Sequence, residues 1–344
     1  MRRLIVIVIL FCLNLLVFLG CKEKAIKNEV KQVNNRLLYG LATGLGGLGD
    51  SGYNDILYNG MVNAKQKYDI DFVCSSPIIE ENAKKTLQDL IDLGAKIIIA
   101  GGGWFMVEPV DELARKYPDL TFILLDDYAK EYLSNISSVI CNQNEGSYLV
   151  GALAALHSKT KVIGMVGAIN RPIINDFWVG FEAGAKKVYP QIEVLLDYIT
   201  NYDTISNPFD NQLIAYQIAD KMYRKDNVDI IFQVASASGI GVFNAARDND
   251  CFAIGVDADQ DYLLPGSILT SMMRRFDIVM EFLIDNIQNE RFENKAYTLG
   301  IDEGSVTLSP MDFTLSIIDQ EHLNIIKELK KQILNRTIIV PTTF

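Results

Sequence analysis

The stretch Gly40-Leu41-Ala42-Thr43-Gly44-Leu45-Gly46-Gly47-Leu48-Gly49-Asp50-Ser51-Gly52-Tyr53-Asn54-Asp55 decides the fold. The apolar run Leu37 to Ala42 predicts a strand, and a helical pattern starts at about Ile56. Between them lies a glycine-rich turn that ends in Asp50, Ser51, Tyr53 and Asn54. Strand, glycine loop and helix start is where an α/β protein holds a ligand. Glycine lets the backbone come close, and helix N–H groups point at the occupant. Asp50 or Asn54 can cap the helix, but a cap alone does not account for so much glycine ahead of it.

Gly44, Gly46 and Gly49 also fit G-x-G-x-x-G, the dinucleotide fingerprint. That fingerprint needs an acid about 20 positions on, at the carboxyl end of the second strand, to hold a ribose. Here Asp69 and Asp71 precede the strand Phe72-Val73-Cys74 and stand at its other end. An NAD-dependent oxidoreductase is therefore the weakest of the readings carried forward.

Outward from this stretch, strands and helices alternate. Ile56–Tyr68 reads as a helix, 71–75 as a strand and Glu80–Leu93 as a helix stopped by Gly94. Lys96–Ala100 is a strand, Pro109–Tyr117 a helix, Leu120–Leu125 a strand ending in Asp126-Asp127, and Ser138–Cys141 another strand. The strands are unbroken apolar runs, the mark of a parallel sheet covered on both faces. The rhythm then restarts. Helices at Glu145–His157, Ile173–Val188, Asn211–Arg224 and Val242–Arg247 alternate with strands at Val162–Gly167, Val194–Ile199, Val228–Val234 and Phe252–Asp257. Ile268–Met273 predicts a strand, Arg275–Ile287 a helix, Tyr297–Ile301 with Ser305–Leu308 a hairpin, and Leu323–Leu334 a last helix. Two doubly wound α/β lobes follow, joined by a hinge that the chain crosses several times. The expected division is 37–141 for lobe 1, with part of 260–300, and 142–259 for lobe 2, with part of 300–344. Such lobes close on a ligand.

A chain of 344 residues, 49% hydrophobic, suffices for two cores. Its net charge of −11 argues against nucleic acid, which calls for a basic face. Residues 1–20 read as an export signal: Arg2 and Arg3, then an apolar run to Leu19 and Gly20 before Cys21. This resembles a bacterial lipobox, so Cys21 is the expected lipidation site and 21–36, charged and without pattern, a tether to the membrane. An uncleaved anchor helix is the alternative. With five cysteines, no C-x-x-C and only two histidines, no structural metal site is expected.

Polar and aromatic side chains gather at predicted carboxyl ends of strands: Asp50, Tyr53 and Asn54; Trp104; Asp126; Ser236 and Gly239; Asp257. Ligands of open α/β sheets bind at that level. Asp257-Ala258-Asp259-Gln260-Asp261 starts like a calcium loop, but Tyr262 and Ile268 stand where glycine and glutamate are required. Asp257 instead suits a diol, since one carboxylate accepts from two hydroxyls. No G-x-S-x-G, H-E-x-x-H or P-loop occurs, so no enzyme and no cofactor are expected.

Gly49-Asp-Ser-Gly-Tyr-Asn54, Phe177-x-x-Gly-Phe-x-Ala-Gly-Ala185, Ser238-Gly-Ile-Gly-Val242 and Ile254-Gly-Val-Asp-Ala-Asp-Gln260 resemble motifs of the basic membrane protein (Bmp) lipoproteins of spirochaetes. More broadly they resemble the PnrA-like purine nucleoside-binding proteins of ABC transporters. The resemblance implies a type I periplasmic-binding fold, a purine nucleoside between the lobes and an ABC permease as partner. It implies that Tyr53 and Tyr202 sandwich the base, Asp126 bonds the base, Asp257 holds the ribose hydroxyls, and Arg274 stands where the family has a ribose-binding lysine. Ser236 replaces a usual glycine, and Gly44 or Leu45 a usual aspartate. The rival reading is a surface lipoprotein that binds host matrix proteins, its cleft vestigial. Either way the expected place is the cell envelope, at the periplasmic face of the inner membrane or the outer surface.

Overall fold

The computed structural model describes residues 36–203 and 207–344. The leader, Cys21 and almost all of the tether lie outside these residues.

The first apolar run forms β1 (Leu38–Ala42), and the glycine loop leads into α1 (Tyr53–Tyr68). Then come β2 (Asp71–Ser75), α2 (Ala83–Asp92), β3 (Ile97–Ala100), α3 (Trp104–Lys116), β4 (Thr121–Leu125) and β5 (Ile136–Cys141). The second series is α4 (Gln143–His157), β6 (Val162–Gly167), α5 (Pro172–Val188), β7 (Glu193–Tyr198), α6 (Gln212–Lys225), β8 (Ile230–Val234), α7 (Gly239–Asp248) and β9 (Phe252–Asp257). The chain ends with β10 (Ile268–Arg274), α8 (Phe276–Gln288), β11 (Ala296–Leu299), β12 (Val306–Leu308) and α9 (Gln320–Leu334).

Two six-stranded sheets result, ordered β11-β5-β4-β3-β1-β2 and β12-β10-β9-β8-β6-β7. Each contains the doubly wound order 2-1-3-4-5, whose direction reverses between its first and third strands. The carboxyl ends of β1 and β3, and of β6 and β8, therefore flank a crevice in each lobe. The inner strands are buried on both faces, as their unbroken apolar runs require: Ile97–Ala100 and Ile230–Val234 are buried at every position, whereas the edge strand β2 is only half-buried.

One expectation about the fold is corrected. Residues 297–308 do not form a hairpin. β11 pairs in parallel with β5, whereas β12 pairs antiparallel with β10 in the other sheet. The chain crosses at Gly300–Ser305, where Gly304 turns with φ 75° and Ser305 N–H and Oγ both bond the Gly300 carbonyl. Alternation could not distinguish two edge strands of separate sheets from partners in one. Within 260–300 the chain changes lobe after β10, which joins the lobe 2 sheet. The later portion of that stretch, α8 and β11, does serve lobe 1. Several helices also begin earlier than periodicity indicated. α3 starts at Trp104, where Gly102 and Gly103, at φ 112° and 67°, turn the chain out of β3.

The chain passes between the lobes at Cys141–Gln143, at Arg274–Phe276 and at Gly300–Ser305. Behind these crossings α4 and α5 pack backbone to backbone. A Cβ on Gly151 would meet the Phe181 carbonyl, and one on Gly184 the Tyr148 carbonyl. One continuous apolar core reaches from Tyr39 and Leu57 in lobe 1 to Phe181 and Phe232 in lobe 2.

Candidate functional site

The glycine loop after β1 is held by carboxylates and an amide at the start of α1. Asp50 accepts from the backbone N–H groups of Gly52, Asn54 and Asp55 at 3.0, 2.9 and 3.2 Å. Asn54 accepts from Gly44 N–H at 2.8 Å and donates to the Leu45 carbonyl at 3.1 Å. Asp55, which sequence reasoning did not single out, takes the N–H groups of Gly49 and Ser51. Side-chain acceptors thus replace the partners that a helix N-terminus lacks. Asp50 is buried, and that burial raises its pKa despite the hydrogen bonds it accepts.

At the crevice shared by both sheets lies a cavity of about 580 Å³ empty volume, counted with the space at its mouth. The enclosed part alone is about 70 Å³, below the roughly 300–1,000 Å³ of typical small-molecule sites, so the cleft stands nearly shut. Lobe 1 contributes Tyr53, Asn54, Trp104 and Asp126; lobe 2 contributes Ile173, Phe177, Phe209, Ser236, Asp257 and Arg274. The walls are mostly apolar and aromatic, so a flat ring can stack there.

Arg274 stands in the middle of the polar part. Its Nε donates to Asp257 Oδ1, and its Nη1 donates to Asp126 Oδ1 at 3.0 Å. The guanidinium lies 5.1 Å from the Tyr53 ring centre, and 5.2 Å from those of Phe177 and Phe276. A cation over aromatic faces is favourable, more so when desolvated. The neighbouring carboxylates Asp126 and Asp257 raise the Arg274 pKa further, against the opposing effect of burial. Asp257 is pushed up by burial, with Arg274 working the other way. Asp126 and Asp257 both end their strands in the left-handed region, at φ 63° and 69°. Aspartate tolerates that region better than most residues, and the turn it makes brings its carboxylate next to Arg274.

The Tyr53 hydroxyl accepts from Gly102 N–H at 3.1 Å, and its ring meets Phe276 edge-on at 5.5 Å. Burial and the nearby Asp126 hold its pKa well above the ordinary value. At the mouth, Trp104 of lobe 1 stacks on Phe209 of lobe 2, with ring centres 6.2 Å apart at 30°. Trp104 Nε1 donates to Glu80, and Arg171 lies over the same indole.

The structure thus brings Tyr53, Asn54, Trp104, Asp126, Ser236, Asp257 and Arg274 to one cavity. Asp50 lies just behind it and reaches the cavity wall through Ser236. Gly239 does not line it. It is the first residue of α7 and is packed under the Gln233 side chain, so its lack of a side chain serves packing. Tyr202 is also outside, 53% exposed, with its hydroxyl on Asp197. The second-lobe rings are instead Phe209 and Phe177. Phe177 was visible as the first residue of a family motif with no ligand role attached, and Phe209 follows Pro208 in a loop without periodicity. Among the described residues no cluster of three or more His, Cys, Asp or Glu side chains could hold a metal.

Residues 38–343 match the family model described as ABC transporter substrate-binding protein PnrA-like (Bmp). Basic membrane protein A1 of Borrelia garinii subsp. bavariensis is 28% identical, over 99% of this chain and 96% of its own. Basic membrane protein A of Borreliella burgdorferi is 28% identical, over 98% and 95%. The CD4+ T-cell-stimulating antigen of Listeria monocytogenes is 28% identical, over 88% and 87%. Among solved structures, an ABC transporter solute-binding protein of Aeropyrum pernix superposes with a TM-score of 0.79 at 22% identity, over 89% of this chain and 94% of that one. Another, from Conexibacter woesei, gives 0.71 at 16% identity, over 90% and 99%. These structural likenesses establish the two-lobed type I periplasmic-binding fold.

Proposed function

Because the chain belongs to the Bmp family of PnrA-like ABC transporter substrate-binding proteins, we propose that it binds a purine nucleoside between its lobes and delivers it to an ABC permease, held to the membrane by lipid on Cys21. The observation that carries the ligand class is the pairing of aromatic walls with two buried carboxylates, Asp126 and Asp257, on opposite lobes. Rings suit a base. A carboxylate that accepts from neighbouring hydroxyls suits a ribose, and a site with one cation and two acids disfavours a phosphate. The reacting-group pairs of an enzyme play no part in this reading; the cleft encloses and releases its ligand.

Arg274 marks the rival reading. It already occupies one oxygen of each acid, so the cleft is internally satisfied. A vestigial cleft on a surface lipoprotein would look the same. Isothermal titration of the purified protein with adenosine, guanosine, adenine and a 2′,3′-dideoxy analogue decides between them. Tight binding of nucleosides, with much weaker binding of the base and the dideoxy compound, is expected. No heat with any of the four would favour the vestigial cleft.

A further inference from the structure

Polar contacts join the two lobes across the cleft. Arg274 bonds Asp126 close to the crossings. Gln260 Nε2 donates to the Ser51 carbonyl at 2.9 Å. Farther out, Ser236 Oγ donates to Asp50 Oδ2 at 2.7 Å. Asp126 follows β4 and Arg274 ends β10, beside the crossing strands. Asp50 follows β1 and Ser236 follows β8, each two strands farther from the crossing strands than β4 and β10. A bond farther from a hinge opposes rotation about it with a longer lever arm.

Each of these contacts has a partner in the left-handed region, Asp126 at φ 63° and Ser51 at 51° among them. Ser236 has φ 52°, the left-handed region where a Cβ is strained. Serine there is tolerated only where something holds it. Both of its partners in the bond are enclosed: Asp50 is 3% exposed and Ser236 8%. Asp50 also accepts three backbone N–H groups of the α1 start, so its position is rigid. Hydrogen bonds to a charged acceptor are stronger than neutral ones.

We infer that Ser236 is a latch: its hydroxyl, bonded to Asp50 across the cleft, holds the lobes closed without ligand and sets the rate at which the cleft opens. The bond does not involve the cavity's two acids, so a bound ligand need not displace it. It stabilises the closed form with and without ligand alike. Its loss should therefore speed ligand entry and exit together. The kinetic part rests on the nucleoside reading; the closure itself does not.

Ser236→Gly is the clean variant, since glycine adopts the same backbone without strain and lacks only the latch. Ser236→Ala removes the hydroxyl but keeps the strain. Hydrogen exchange of the ligand-free full-length protein, read at segments 101–106 and 171–178, reports opening at places that touch neither latch residue. Both variants should exchange there about tenfold faster than the parent, the factor given by roughly one charge-assisted hydrogen bond. Stopped-flow association and dissociation of a nucleoside should each rise in both variants. Unchanged exchange in both variants overturns the latch, as does an effect confined to Ser236→Gly, which would come from backbone freedom. A parent protein that binds no nucleoside would sink the functional reading, and exchange alone would then decide the latch.

Discussion

At the scale of single residues the site is defined by Arg274 and its two acids. Removing Asp257 does more than delete a ligand contact, because it leaves the buried guanidinium with Asp126 as its one remaining acid. Breaking one side of such a pair costs about 3–5 kcal/mol. Asp257→Ala should therefore lose that much stability in a urea titration as well as nucleoside affinity. Stability within about 0.5 kcal/mol of the parent would mean that Arg274 finds water or another partner. The aromatic rings make a second, sharper test. Stacking on an aromatic platform contributes roughly 1–3 kcal/mol per base in single-strand binders. Trp104→Ala and Phe209→Ala should each weaken nucleoside binding about tenfold or more by titration. Tyr202→Ala should leave it unchanged, since that ring is solvent-exposed and tied to Asp197. The opposite ranking would return Tyr202 to the base. Asp126, Asp257 and Tyr53 were legible in the sequence because each ends an apolar run or starts a helix. Phe209 was not, because a loop has no period from which to infer which way a side chain faces.

At the scale of elements, the contact of α4 with α5 is the point where glycine is indispensable. Gly184 faces the Tyr148 carbonyl so closely that an added methyl must push the helices apart. Overpacking of this kind costs about 1–3 kcal/mol. Gly184→Ala should lower the thermal midpoint accordingly, although alanine favours an isolated helix by about 1 kcal/mol. An unchanged or raised midpoint would show that propensity outweighs the clash. Gly180 and Gly184 were apparent in the sequence as members of a family motif. Which helix they face was not. The misread pair at 297–308 has the same origin: two short strands separated by a glycine-containing turn satisfy the local rule for a hairpin, yet Ala296–Leu299 finds better pairing along β5 of one sheet, and Val306–Leu308 along β10 of the other.

At the scale of the whole molecule, the core that runs through both lobes predicts a single cooperative unfolding transition. Near- and far-ultraviolet circular dichroism should give coincident melts, and separate transitions would show that the lobes unfold independently. A nucleoside at 100 times its Kd should add about 2.7 kcal/mol to stability. Cys21→Ala should release the protein from the detergent phase of fractionated membranes; retention with an intact N-terminus would point to an anchor helix. The sequence by itself determined the α/β class, the alternation into two series, the family and the acids at strand ends. All of these depend on local periodicity or on short motifs, in which neighbours along the chain carry the signal. Only the tertiary structure decided that Arg274 bridges Asp126 and Asp257, that Ser236 reaches Asp50, that Gly239 packs against Gln233, and that Phe209 rather than Tyr202 faces Trp104. Apart from Gly239 with Gln233, these contacts join residues between 17 and 186 positions apart. Their formation depends on how two sheets and their crossings fix distance and direction in space, which no local pattern encodes.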